Sequence, residues 1–168
     1  MTVSQWVSAF AESGLHVSKT VGDIAGTMFF ALLFGLSRTI YGRLSGRLDL
    51  IRSMRVCALI CAASYLLIAL SPSPVLALIG CGICGFSVGI FWPGTVSITA
   101  AEFGSVGTLV FSLLAFAGDI GCTLGPTMAG AVAAAAGDSL NIGIGAMVIF
   151  PVLMLICLMI LGRKKTTE

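Results

Sequence analysis

The sequence predicts an all-α integral membrane protein, a bundle of about five transmembrane helices forming one domain over residues 1–168. Three observations predict it. The chain is 58% hydrophobic and only 10% charged, whereas soluble domains run near 25% charged. Its uncharged runs are long enough to cross a bilayer. Its basic residues gather in a few clusters at the ends of those runs. A fold this apolar has no polar coat for water, so lipid must be the solvent for most side chains. The many glycines sit inside apolar runs, as membrane helices tolerate. Strands are excluded, because an open sheet leaves backbone groups unsatisfied in lipid.

A spanning helix needs about 20 mostly apolar residues. The first expected crossing is about 23–41. The apolar stretch 54–101 is too long for one crossing and is divided at Ser71-Pro72-Ser73-Pro74, since prolines remove donors and bias the preceding residue away from helix. This gives a second crossing at about 54–71 and a third at about 74–101. Glu102-Phe103-Gly104-Ser105 forms the next break. A fourth crossing covers about 106–135 and ends at Gly137-Asp138. The fifth covers about 140–161 and stops at Arg163-Lys164-Lys165. Residues 3–15 read as the end of a preceding helix.

Basic residues orient the bundle. Arg43, Arg47, Arg52 and Arg55 crowd the first loop, and Arg163, Lys164 and Lys165 the C-terminus. The 71–74 loop has no charge and the 137–140 loop only Asp138. Five crossings starting outside place both basic clusters inside, which satisfies the positive-inside rule. The expected location is a cell (inner) membrane, multi-pass, with a cytoplasmic C-terminus. No basic start followed by an apolar core marks a signal peptide, and an outside N-terminus suits a partial protein or half-module.

The net charge of +2 comes from those clusters rather than from a basic face, which argues against nucleic-acid binding. The single His16 leaves no catalytic or metal constellation, so no enzyme and no cofactor is expected. Cys57, Cys61, Cys81, Cys84, Cys122 and Cys157 all lie in apolar stretches, where cysteine acts as a small hydrophobe. Gly80-Cys81-Gly82-Ile83-Cys84-Gly85 reads as G-x-G-x-x-G, but no strand precedes it, which removes the nucleotide-binding context. Its Cys81-x-x-Cys84 pair raises a membrane thiol oxidoreductase, against which burial stands, because an apolar setting keeps thiols protonated and inert.

Asp119 is the most informative position. It lies about 20 Å along the fourth crossing from the inner end, at 1.5 Å per residue. A carboxylate in hydrocarbon is costly and marks a bundle interior or an aqueous path. The bland reading is a neutral acid serving packing alone. Gly118, Gly121, Cys122 and Gly125 around it are small, and Gly121-x-x-x-Gly125 lets backbones approach. Pro126 interrupts the ladder one turn on. Phe91-Trp92-Pro93-Gly94 lies inside the third crossing, where Pro93 frees a carbonyl one turn earlier and kinks the helix. Trp92 offers a stacking face and an indole donor to a polar solute, or anchors at the inner interface. Gln5 and Trp6 line a cavity mouth or lie at the interface. Arg38, near the inner end of the first crossing, is too far in depth from Asp119 to pair with it. It snorkels inward or meets Glu102.

The loop Gly42-Arg43-Leu44-Ser45-Gly46-Arg47-Leu48-Asp49 resembles the degenerate second copy of the major facilitator superfamily loop signature, G-x-x-x-D-R/K-x-G-R/K-R/K. The run Gly118-Asp119-Ile120-Gly121-Cys122-x-x-Gly125-Pro126 is similar to bacterial members of the fucose-permease-like type. The resemblance implies a partial C-terminal six-helix domain, with the five crossings as helices eight to twelve and residues 3–15 ending helix seven. It implies lipid-facing second and fifth crossings, with Arg38, Trp92-Pro93-Gly94 and Asp119 on the other three. Gly42, Arg43, Gly46 and Arg47 would form the cytoplasmic gating loop with Arg38 and Glu102. Gly46 stands where the signature has an acid, so the usual gating ion pair is not reproduced.

The implied activity is alternating access by a secondary transporter, moving a small polar solute with a proton at Asp119. The implied partners are the lipid bilayer, that solute, and the missing N-terminal transporter half or a partner half-module. A structural membrane subunit without transport of its own is the alternative.

Overall fold

The computed structural model describes residues 19–44, 49–71, 73–103, 108–137 and 139–164, which form helices and turns with no strand among them. The helices are α1 (Lys19–Leu44), α2 (Leu50–Leu70), α3 (Pro74–Val88), α4 (Phe91–Phe103), α5 (Thr108–Ala135), α6 (Leu140–Ala146) and α7 (Ile149–Lys164). The expected helix end at 3–15, with Gln5 and Trp6, and the loop residues Gly46 and Arg47 lie outside the described residues.

Among the described residues, four stretches are long and apolar enough to cross a membrane: Leu50–Leu70, Val75–Phe103, Thr108–Ala135 and Asn141–Arg163. They carry the second to fifth expected crossings. The first lies on α1, whose 26 residues reach about 39 Å but include Lys19, Asp23, Arg38 and Arg43.

Local chemistry explains the boundaries. Asp49 caps α2, its carboxylate accepting the Arg52 backbone N–H at 3.1 Å, which satisfies one of the open donors of the first turn. At the other end the Ser71 hydroxyl turns the chain, donating to the Ser73 carbonyl at 3.2 Å and accepting the Ser73 N–H at 3.3 Å. Pro74 then opens α3, where a missing N–H costs nothing. Gly137, at φ 72°, supplies the left-handed residue that ends a helix cheaply.

The third and fifth expected crossings are each two helices rather than one. Pro93 has no N–H for the Gly89 carbonyl four residues back, and the helix breaks at Gly89–Ile90, resuming with Gly94 N–H to the Ile90 carbonyl at 2.8 Å. The same chemistry operates at Pro151. Its missing N–H releases the Met147 carbonyl, which takes the Phe150 N–H instead at 3.1 Å. The helix breaks at Met147–Val148, a consequence of Pro151 that the hydrophobic run concealed. Pro126 breaks nothing, since α5 continues from Thr108 to Ala135 around it.

The core lies where α2, α3 and α6 meet, around Cys61, Tyr65, Ile68, Cys81, Ile144 and Met147. A second cluster joins Met54 of α2, Ile90 at the break and Leu158 of α7. α1 crosses α3 in backbone contact. A methyl added at Gly85 would lie 2.7 Å from the Phe30 carbonyl oxygen, and one at Gly89 would lie 2.9 Å from the Phe34 carbonyl oxygen. Only glycine permits that approach. The outward faces carry exposed Leu59, Leu66, Leu153 and Ile160, the surface expected against acyl chains.

Candidate transport-path face on helix α5

Helix α5 is the least covered of the four spanning stretches. Only 6% of its apolar window is buried, against 50% for Val75–Phe103. It packs at its C-terminal end, through Gly125, Ala129 and Ala133, with Ala129 and Ala133 against Gly143 of α6. The rest of the helix is largely uncovered, apart from Gly118 under Trp92.

One side of the open part carries a row of polar residues, with exposed Leu109 and Phe116 among them. At 100° per residue, Thr108, Ser112, Asp119, Thr123 and Thr127 fall within an arc of about 100°. Each of them is exposed. From first to last they run about 28 Å along the axis, nearly the thickness of the hydrocarbon. The hydroxyls are held in register by the backbone. Ser112 donates to the Thr108 carbonyl at 2.8 Å, Thr123 to the Asp119 carbonyl at 3.0 Å, and Thr127 to the Thr123 carbonyl at 2.8 Å. Each keeps lone pairs free to accept from a passing group.

Trp92 is brought beside this stripe. It is 44% exposed, and its six-membered ring covers Gly118, where an added methyl would lie 3.1 Å from Cζ3. The next residue after Gly118 is Asp119. Trp92 lies about eleven residues before the end of α4, and Asp119 about eleven after the start of α5, so each sits about 17 Å along its helix from that end. The two residues therefore lie at a similar level along their helices. Asp119 itself is exposed on the uncovered face.

The remaining expected site residues separate from this face. Arg38 is exposed nearly two turns before the end of α1. Its guanidinium carbon sits 4.7 Å from the centroid of the Phe34 ring, a cation–π contact within its own helix. Phe34 in turn stacks on Phe30, with centroids 6.1 Å apart. Gly42 and Arg43 lie exposed in the last turn of α1 and Glu102 in the last turn of α4. Pro93 acts through the Gly89–Ile90 break just before Trp92.

Cys81 and Cys84 are 0% and 2% exposed. The Cys84 sulfur faces Cys61 of α2 at 3.9 Å, so these thiols fill the core between helices and have no open path to water. No cluster of three or more metal-ligating side chains occurs among the described residues.

The hydroxyl stripe is not among the site residues expected from the sequence. The signal was present as polar residues at intervals of four, seven, four and four, which return to one helix face.

No curated protein and no solved structure matches the chain. The family model described as Major Facilitator Superfamily matches residues 2–168. The all-helical arrangement of the described residues, with four candidate spanning stretches, agrees with that match. The chain belongs to the major facilitator superfamily, a family of multi-pass membrane transporters and not of enzymes.

Proposed function

We propose that the chain is the C-terminal portion of a secondary active transporter of the fucose-permease-like type. It moves a small polar solute by alternating access, coupled to a proton carried at Asp119. The polar face of α5, with Trp92 beside it, forms one wall of the path. The other wall is an N-terminal transporter half or a partner half-module. The membrane is the inner membrane, with the C-terminus cytoplasmic.

The observation that carries this reading is the uncovered stripe around Asp119. The hydroxyls bond within their own helix, but a carboxylate against acyl chains is costly. A face of this kind is stable only beside water or other protein. Trp92 adds a flat aromatic surface and one N–H donor, a combination suited to a hydroxylated solute. The break at Gly89–Ile90 lies next to Trp92, where irregular backbone is tolerated because it is packed against α1, α2 and α7. In such transporters one bundle rocks against the other around a midplane site.

The test is proton-driven uptake into vesicles containing the chain together with its other half. Asp119→Asn removes the titrating group while keeping the shape, and it is expected to abolish accumulation driven by a pH gradient. Undiminished coupled uptake by the Asn form would end the proton role. A structural subunit is the second reading, favoured by Gly121, which has nothing within 4 Å of a methyl placed on it and so offers a site for another helix. Solute accumulation in the reconstituted vesicles excludes it; firm helix association with no uptake at all supports it.

A further inference from the structure

Arg55 makes a polar contact with a residue 103 positions away in sequence. It lies near the start of α2 and is partly buried. Its Nε and Nη2 both donate to the Leu158 carbonyl of α7, at 3.1 Å and 2.9 Å. Gly162 makes room for it, because a methyl there would run into the guanidinium. The contact joins the start of α2 to the end of α7. It thereby brings two basic groups, far apart in sequence, to one edge of the bundle. Arg52 and Arg55 come from one helix. Arg163 comes from the other, followed in sequence by Lys164 and Lys165.

The guanidinium has five N–H donors in a planar fork, and the Leu158 carbonyl takes two. Three remain, on a side chain whose position is fixed. The acid nearest in sequence to the pair, Asp49, is engaged at the helix cap with the Arg52 backbone N–H. Immediately along both helices the surface turns apolar. Val56 and Leu59 are 49% and 55% exposed, and Ile156 and Ile160 are 47% and 58% exposed.

We propose that this edge is a binding site for an anionic phospholipid in the adjoining leaflet, with its phosphate held by Arg52, Arg55 and Arg163. The acyl chains lie along the apolar faces of α2 and α7. A free phosphate would meet only the charges, whereas a phospholipid matches both the basic edge and the apolar surface continuous with it. The site is independent of the transport path on α5.

The test is mass spectrometry of the intact chain in detergent, titrated with phosphatidylglycerol or phosphatidylcholine of equal chain length. Phosphatidylglycerol is expected to bind in preference. Arg52→Gln and Arg163→Gln are each expected to weaken it about five-fold, the effect of one basic residue near an anionic surface. Arg55→Gln also removes the bond to α7, so the other two substitutions carry the test, with helix content checked by circular dichroism. Equal retention of the two lipids overturns the proposal. So does phosphatidylglycerol binding indifferent to both substitutions, or its displacement by inorganic phosphate at equal concentration.

Discussion

A carboxylate, an indole and three hydroxyls each acquire meaning from where their neighbours stop. Asp119 follows Gly118, over which the Trp92 ring lies, and under the proposed function a solute reaching the acid also meets the ring. Under the proposed function, Trp92→Phe keeps the aromatic face and should leave uptake within about three-fold. Trp92→Ala removes it and should raise KM up to about ten-fold, in line with the 0.5–1.5 kcal/mol of an aromatic contact. Initial rates over a range of solute concentrations check this, and an unchanged KM in the Ala form would remove Trp92 from the path. The acid and the tryptophan were both legible in the sequence as residues out of place in oil. Their adjacency was not, because Trp92 and Gly118 sit on different helices and no pattern along the chain measures that distance.

Broken helices are decided by backbone chemistry that is local and therefore readable. Pro93 and Pro151 each strand the carbonyl four residues earlier, and both helices part there. Pro126 has the same chemistry, yet α5 runs on through it. Pro93→Ala restores the missing N–H and is expected to make α3 and α4 continuous. Thermal stability should hold or rise, since an interior proline costs about 3 kcal/mol. Uptake should fall if the break bends during the transport cycle. A lower melting temperature would show that the break is fixed by packing instead. Gly89→Leu acts on the same segment by another route. It pushes a side chain into the Phe34 carbonyl and Ser37, and is expected to destabilise the fold by about 1–3 kcal/mol, measured by thermal unfolding in detergent.

The whole bundle divides into a packed part and an open part. α2, α3 and α6 share the main core, α1 lies against α3, and α7 is tied to α2 by Arg55. α5 is packed at its C-terminal end and touched by Trp92 at Gly118. Cysteine reactivity maps that division. Cys122 is exposed on α5 near Asp119, while Cys61, Cys81 and Cys84 are at most 3% exposed. In reconstituted membranes a water-soluble maleimide is expected to label Cys122 and leave the three core thiols untouched until the protein is denatured. Protection of Cys122 by lipid alone would turn the α5 face toward acyl chains and remove the path. Cys157, exposed on α7, should react only with a lipid-soluble reagent.

Composition and run length by themselves determined that this chain crosses a membrane as helices, since apolar content and the demand for internal hydrogen bonding act on each segment separately. They also marked the helix ends at Ser71 and Gly137 and singled out Asp119. Tertiary structure alone decided what each residue touches. It set Trp92 against Gly118, paired Cys84 with Cys61 rather than with its sequence neighbour Cys81, and carried Arg55 across 103 residues to Leu158. Those contacts depend on how helices cross, and in lipid the crossing is set by close packing of side chains and backbone between segments. That information is distributed over pairs of helices, and no single stretch of sequence contains it.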